Sequence, residues 1–400
     1  MSQSPSIVHS PPAYFPALDT LRLYAAICVI VDHVAALSYF DQPARVNAGA
    51  ISLFFLSGAD AVTLFFVLSG FLITYLLLRE RTETQTISVR RFYMRRALRI
   101  LPLYFLLIAL TVVVIVLLGY QQYLLPTMDW AWMLLLFLSP HIPNALIGLG
   151  AFGHFWSIGV EEWFYFAYPP LFRRLSLLFL IVTVIVVRLL IGTVYLPEFT
   201  GFAASEQGGA WITLFGFMRF ECMAIGALGA WIFVYRAAWL PGMYRLEIPC
   251  LLIIGAVIVL GSGATGALYH IVLSVVFMIA ILSIATNPRS LLRWRIKPFE
   301  ALGKRTYGIY MYHVIAILLV ARLLDVTGLE MTALNLPILY VGSVMLSIAI
   351  ALLSYHFFEQ RFLKMKDRYS SRQPTSTPAY AAGDASQKRS DGLEVQVEIS

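Results

Sequence analysis

Unbroken apolar runs of about 20 residues recur from one end of the chain to the other, with the polar residues gathered between them. That is the length a helix needs to cross the hydrocarbon layer of a bilayer. A membrane β-barrel would instead show short alternating segments, and these runs do not alternate. The pattern predicts an all-α integral membrane fold, a bundle of about ten transmembrane helices. They fall at roughly 18–39, 60–79, 100–120, 155–172, 175–195, 211–235, 246–262, 267–285, 306–324 and 336–358. An eleventh stretch, Trp130 to Leu138, is too short to span and reads as a re-entrant or interfacial segment buried by protein.

The charged residues between the runs orient them. With the N-terminus in the cytoplasm and each span reversing the side, the 79–99 segment lies inside, with seven arginines from Arg79 to Arg99. Arg173 and Arg174, Arg236 and Arg245, the basic 286–305 segment and the residues from Arg361 onward also lie inside. The outer segments hold Arg45 alone among Lys and Arg, against Asp41, Asp129, Glu198, Glu206, Asp325 and Glu330. Counting Trp130–Leu138 as a span would put the 286–305 cluster outside, so the positive-inside rule favours ten spans with both termini cytoplasmic. The chain then divides into a cytoplasmic N-terminal segment (1–17), a transmembrane domain (18–365) and a cytoplasmic tail (366–400). The tail is rich in Ser, Pro, Thr, Ala and Gly, and its composition predicts disorder. Residues 1–17 carry no Lys or Arg, so no cleavable signal peptide is expected.

Composition supports the membrane reading. Hydrophobic residues make up 60% of the chain and charged residues 13%, against roughly 45–50% and about 25% in soluble domains. The net charge of +7 is accounted for by the inner segments and does not point to nucleic acid. Cys28, Cys222 and Cys250 lie in apolar runs, too scattered for a disulfide framework or a metal site, and read as packing residues.

Ionisable groups inside spans are costly and usually functional. The first span holds Arg22, Asp32 and His33. Arg22 and His33 are 33 − 22 = 11 residues apart, about 1100° or roughly 20° past three turns, so they share a face some 16 Å apart along the axis. The fourth span opens with His154, Trp156 and Ser157 and carries the adjacent carboxylates Glu161 and Glu162. The ninth brings Tyr307, Tyr310, Tyr312 and His313 together, and the sixth holds Arg219 and Glu221. Plainer readings stand beside these. A lone histidine can be a hydrogen-bonded packing residue, the tyrosines can be interfacial anchors, the carboxylates can neutralise Arg188 or Arg219, and the arginines can be a topology signal.

Six motifs in order, over about residues 15–365, resemble the acyltransferase 3 family of integral membrane O-acyltransferases. They are Asp19-Thr20-Leu21-Arg22 with Asp32-His33; Phe65-Phe66 with Ser69-Gly70; and Arg95-Arg96-Ala97-Leu98-Arg99 with Pro102 and Tyr104. His154-Phe155-Trp156-Ser157 with Glu161-Glu162, Tyr307-Gly308-Ile309-Tyr310-Met311-Tyr312-His313, and Phe358-Glu359 complete the set. Gly159 and Trp163 depart from the family pattern, which usually has serine and often glutamine there. The resemblance implies an acyl group moved from a cytoplasmic acyl-CoA, acetyl-CoA in the first instance, to a hydroxyl of a surface glycan or lipid-linked sugar, with no metal. It implies a multi-pass protein of the bacterial inner membrane. Acylation of a secreted small molecule such as a macrolide is the alternative; a secondary transporter or flippase is the reading from another class. On this resemblance Arg22, Arg95, Arg96 and Arg99 would hold the donor. His33 would act as general base with Glu161 orienting it and His313 sharing proton handling, and His154, Trp156 and Glu162 would meet the acceptor.

Overall fold

The computed structural model describes residues 14–35, 54–120, 129–194, 213–260, 266–293, 296–328, 336–366 and 369. The tail after 369, the N-terminal residues 1–13 and most of the expected outer segments lie outside the described residues. Every regular element among those described is a helix. In chain order they are α1 (Pro16–Ala35), α2 (Gly58–Thr84), α3 (Val89–Leu118), α4 (Asp129–Leu136), α5 (His141–Ile147), α6 (Trp156–Arg174), α7 (Leu177–Val194) and α8 (Phe220–Tyr235). There follow α9 (Leu240–Tyr244), α10 (Glu247–Leu260), α11 (Ala267–Thr286), α12 (Lys297–Gly303), α13 (Thr306–Val326), α14 (Leu336–Ser354) and α15 (Gln360–Lys366). Apolar sequence in lipid leaves helices the way to satisfy every backbone N–H and C=O within one segment.

Among the described residues six helices are long and apolar enough to cross a membrane: Gly58–Thr84, Val89–Leu118, Thr213–Tyr235, Ala267–Thr286, Thr306–Val326 and Leu336–Lys366. Ala237–Tyr244 with Glu247–Leu260, bent by 58°, makes a seventh if taken as one span. The expected ten is not reached by length and apolarity. The shortfall is α1, α6 and α7. Asp19, Arg22 and Asp32 interrupt α1, and Glu161, Glu162, Arg173 and Arg174 interrupt α6. The apolar stretch of α7 is short.

Two stretches read as loops are helical. α3 is 30 residues long, about 45 Å at roughly 1.5 Å per residue, well beyond a hydrocarbon layer of about 30 Å. Its first turns therefore carry Arg90 to Arg99 on a rigid helix. Residues 141–155, expected within an outer loop, form α5 and a 3-10 turn, Gly150–Phe155, that leads straight into α6. Trp130–Leu138 is the short helix α4 and its exit, too short to span.

The core forms around α1, which packs against α2, α12, α13 and α14. Its interior position explains how a helix with three charges is accommodated. The closest pair is α2 with α8. A Cβ on Gly70 would lie 1.9 Å from the Met223 carbonyl oxygen, and one on Gly226 would lie 2.1 Å from that of Val67. Small residues that let helix backbones touch are how helices associate where lipid removes the hydrophobic drive. The three cysteines are free and buried.

Candidate active site

α1 is the ruler of the site. Near its start Arg22 pairs with Asp19 at 2.7 Å. Near its end Nδ1 of His33 meets the Val29 carbonyl oxygen at 2.9 Å. That bond uses one ring nitrogen and leaves Nε2 for chemistry. α13 supplies His313, whose Nδ1 bonds the Tyr310 carbonyl and whose Nε2 is buried without a partner. The 3-10 turn supplies His154, buried near the Ala151 and Met311 backbone, with no well-formed hydrogen bond to either ring nitrogen. The rings of His33 and His313 are 4.9 Å apart, as are those of His154 and His313. Three elements distant in sequence thus bring three imidazoles into one file.

Tyr310 stands beside them, 5.4 Å ring to ring from His313. Its hydroxyl donates to the His154 carbonyl at 2.9 Å and lies 2.7 Å from the Ser157 hydroxyl. Tyr310 and Ser157 also line a cavity of about 500 Å³. Phe65, Phe66, Glu161 and Tyr165 continue its wall, and Arg22, Arg95, Arg96 and Arg99 surround the other end. The histidines are not in the wall. They lie behind Tyr310 and Ser157.

Those cavity arginines are not equivalent. Arg95 pairs with Glu80 at 3.0 Å and also donates to the Tyr369 carbonyl. Arg96 pairs with Glu162 at 3.4 Å, its guanidinium 3.6 Å above the Tyr165 ring. Arg79, another lining residue, pairs with Glu83. Arg99, on the same face of α3, has no hydrogen-bond or ion-pair partner among the described residues.

The structure therefore regroups the residues singled out by sequence. Arg22, Arg95, Arg96, Arg99 and Glu161 meet in one cavity. His33 and His313 meet outside it, joined by His154, which sequence placed with the acceptor. Glu161 accepts hydrogen bonds from Ser69 and Tyr165, not from a histidine, and Glu162 serves Arg96. Trp156 does not line the cavity and packs against Phe66 and Phe217. Sequence reasoning gave Ser69 and Tyr165 no role of their own, passed over Glu80, and took Tyr310 for an anchor or helix contact. Tyr165 lies four residues from Glu161, one helical turn, and was findable; Ser69 and Glu80 reach their partners across the fold.

A profile of the acyltransferase 3 acyltransferase domain matches residues 15–356, from just before α1 to the end of the bundle. The chain belongs to the acyltransferase 3 family. Among curated relatives of this acyltransferase 3 member, the O-acetyltransferase OatA of Staphylococcus aureus is 27% identical over 382 residues, covering 87% of this chain and 57% of its own length. The putative peptidoglycan O-acetyltransferase YrhL of Bacillus subtilis is 26% identical over 394 residues, covering 90% and 56%. The peptidoglycan O-acetyltransferase OatA of Listeria monocytogenes is 25% identical over 389 residues, covering 86% and 55%. The chain thus spans little more than half the length of the curated relatives it matches. No solved structure matches it significantly.

Proposed function

We propose that the protein is a membrane O-acyltransferase that moves an acetyl group from cytoplasmic acetyl-CoA to a hydroxyl of a surface glycan. The observation that carries this reading is a basic cavity that ends at Tyr310 and Ser157 with three imidazoles directly behind them. Its volume lies within the roughly 300–1,000 Å³ of ordinary ligand sites. The names of the relatives support acetyl as the group and a glycan as the acceptor.

Arg99 receives the donor's phosphates, because its planar fork of donors is uncommitted. Arg22, Arg95 and Arg96 hold the shape and charge of the mouth through their carboxylate partners and add to its attraction for a polyanion. The pantetheine arm extends along the cavity toward Tyr310. His33 is the general base: it is the half-buried imidazole of the three, and its Nε2 is free to take the proton of the acceptor hydroxyl. His313 shares the charge that develops on His33. Glu161, held by Ser69 and Tyr165, faces the cavity arginines and orients them. The arginine-rich end faces the cytoplasm and α1, α6 and α7 complete the ten spans, with both termini inside.

Purified protein in lipid nanodiscs should release free thiol from acetyl-CoA, faster when a glycan acceptor is added, and the acetate should be found as an ester on that glycan. A preparation that binds no acetyl-CoA and releases no thiol sinks this reading.

A further inference from the structure

Three arginines stand at the end of the bundle remote from the cavity mouth among the described residues, and their charges are handled differently. Arg188 pairs with buried Glu221 at 3.2 Å. Arg322 pairs with Asp325. Arg219, at the N-cap position of α8, has no carboxylate within ion-pairing distance among the described residues. It donates to the Ala59 carbonyl at 2.9 Å and the Thr63 hydroxyl at 3.2 Å, both neutral, while its Nε is buried without a partner.

The surroundings hold this guanidinium in place without neutralising it by contact. Thr63 is fixed in turn, 3.1 Å from Nδ1 of His270. Asp60 and Glu221 lie within electrostatic reach of Arg219 without contacting it, and each has another partner, Glu221 through Oε1 alone. Asp60 accepts from Ser57 at 2.8 Å and from Tyr269 at 3.0 Å, and Glu221 accepts from Arg188. A guanidinium within a membrane-spanning helix and without a carboxylate in contact is costly to maintain. Its fork matches the paired oxygens of a carboxylate or phosphate.

Its position points to the acceptor. The Arg219 guanidinium carbon lies 5.6 Å from the Trp156 ring centre. Trp156 meets Phe66 edge-on at 6.0 Å, and Phe66 lines the deep end of the cavity, as does Ser157, the residue after Trp156. One aromatic layer therefore separates Arg219 from the place where the acyl group would arrive.

Resting on the reading of the protein as a glycan O-acyltransferase, we propose that Arg219 binds an anionic group of the acceptor, with Trp156 alongside the sugar ring. The acceptor is then a saccharide carrying a carboxylate or a phosphate, not a neutral one. Two guanidiniums without a carboxylate partner among the described residues would then serve the two substrates: Arg99 the donor and Arg219 the acceptor.

The test titrates full-length protein in nanodiscs with N-acetylglucosamine, N-acetylmuramic acid and N-acetylglucosamine 1-phosphate. Wild type should bind at least one anionic sugar about tenfold or more tightly than the neutral one, the scale of one charge-assisted hydrogen bond. Preference for the acid assigns a carboxylate; preference for the ester assigns a phosphate. Arg219→Gln should bring the ratio close to one, and Arg219→Lys should keep part of it. Equal or undetectable binding of all three sugars by wild type overturns the proposal, as does a preference that survives Arg219→Gln. If Arg219→Gln does not fold, the wild-type ratio and Arg219→Lys decide. Thiol release from acetyl-CoA in the same preparation separates the two ideas. Release with a ratio of one removes the anionic acceptor alone; no release removes the acyltransferase reading whatever the sugars do.

Discussion

At the scale of residues, the site depends on which polar groups are already committed. His33, with its open Nε2, and Arg99, with no ion-pair partner among the described residues, each yield a distinct expectation. His33→Ala should lower acetyl transfer by about 10²–10⁴-fold, the usual worth of a general base, while the protein still folds and inserts. Retention of more than about a tenth of the wild-type rate would move the role to His313. Arg99→Ala should raise the apparent KM for acetyl-CoA about tenfold or more, the loss of one charge-assisted contact. Arg99→Lys should rescue it in part, since an ammonium lacks the planar fork. Arg95→Ala should raise KM less and cost stability instead, because it strands Glu80, which is 7% exposed. Steady-state kinetics with thermal unfolding in detergent separates the two variants; equal KM shifts would contradict the division between committed and uncommitted arginines.

Among helices, the legible part of the fold was the part written in apolar runs. Each expected span has a helix at its place, because a run of that length must satisfy its own backbone. α1 and α6 show what apolarity does not capture: α1 packs against α2, α12, α13 and α14, α6 buries one side, and both carry charged residues proposed to form the site. The Arg22–His33 stripe was readable, since helix geometry fixes it. The meeting of His33, His154 and His313 was not, because it depends on how α1, α13 and a 3-10 turn pack, and no local pattern encodes that. The α2–α8 contact is equally nonlocal and rests on two glycines. Gly70→Ala places a methyl group against the Met223 carbonyl at 1.9 Å, backbone that cannot swing aside. Overpacking typically costs about 1–3 kcal/mol, so the variant should melt several degrees lower in detergent. Gly255→Ala on α10 meets nothing within 4 Å and should leave the midpoint unchanged or raise it slightly, since alanine favours a helix interior over glycine. Equal behaviour of the two would mean that the close crossing is not what holds α2 to α8.

For the whole molecule, the proposal requires that donor and acceptor reach the histidines from opposite sides of the membrane. The distribution of groups supports this. Arg79, Arg95, Arg96 and Arg99 gather at the end of the cavity formed by the C-terminal part of α2 and the start of α3, and Arg219 and Trp156 lie outside its wall, behind Phe66. If the arginine-rich end is cytoplasmic, the cavity opens where acetyl-CoA is made, and the hydroxyl that receives the acetyl group is on the outer face. Orientation is thus part of the mechanism and can be tested apart from chemistry. Thr84, at the end of α2, and Asn144, in α5, sit on the two sides in this scheme. With Cys28, Cys222 and Cys250 buried, a single introduced cysteine should report cleanly. An impermeant maleimide added to intact cells should label Asn144→Cys and not Thr84→Cys, and permeabilised cells should label both. The reverse pattern would put the basic cavity outside, beyond the reach of cytoplasmic acetyl-CoA. The donor would then have to be an acyl group already carried across the membrane.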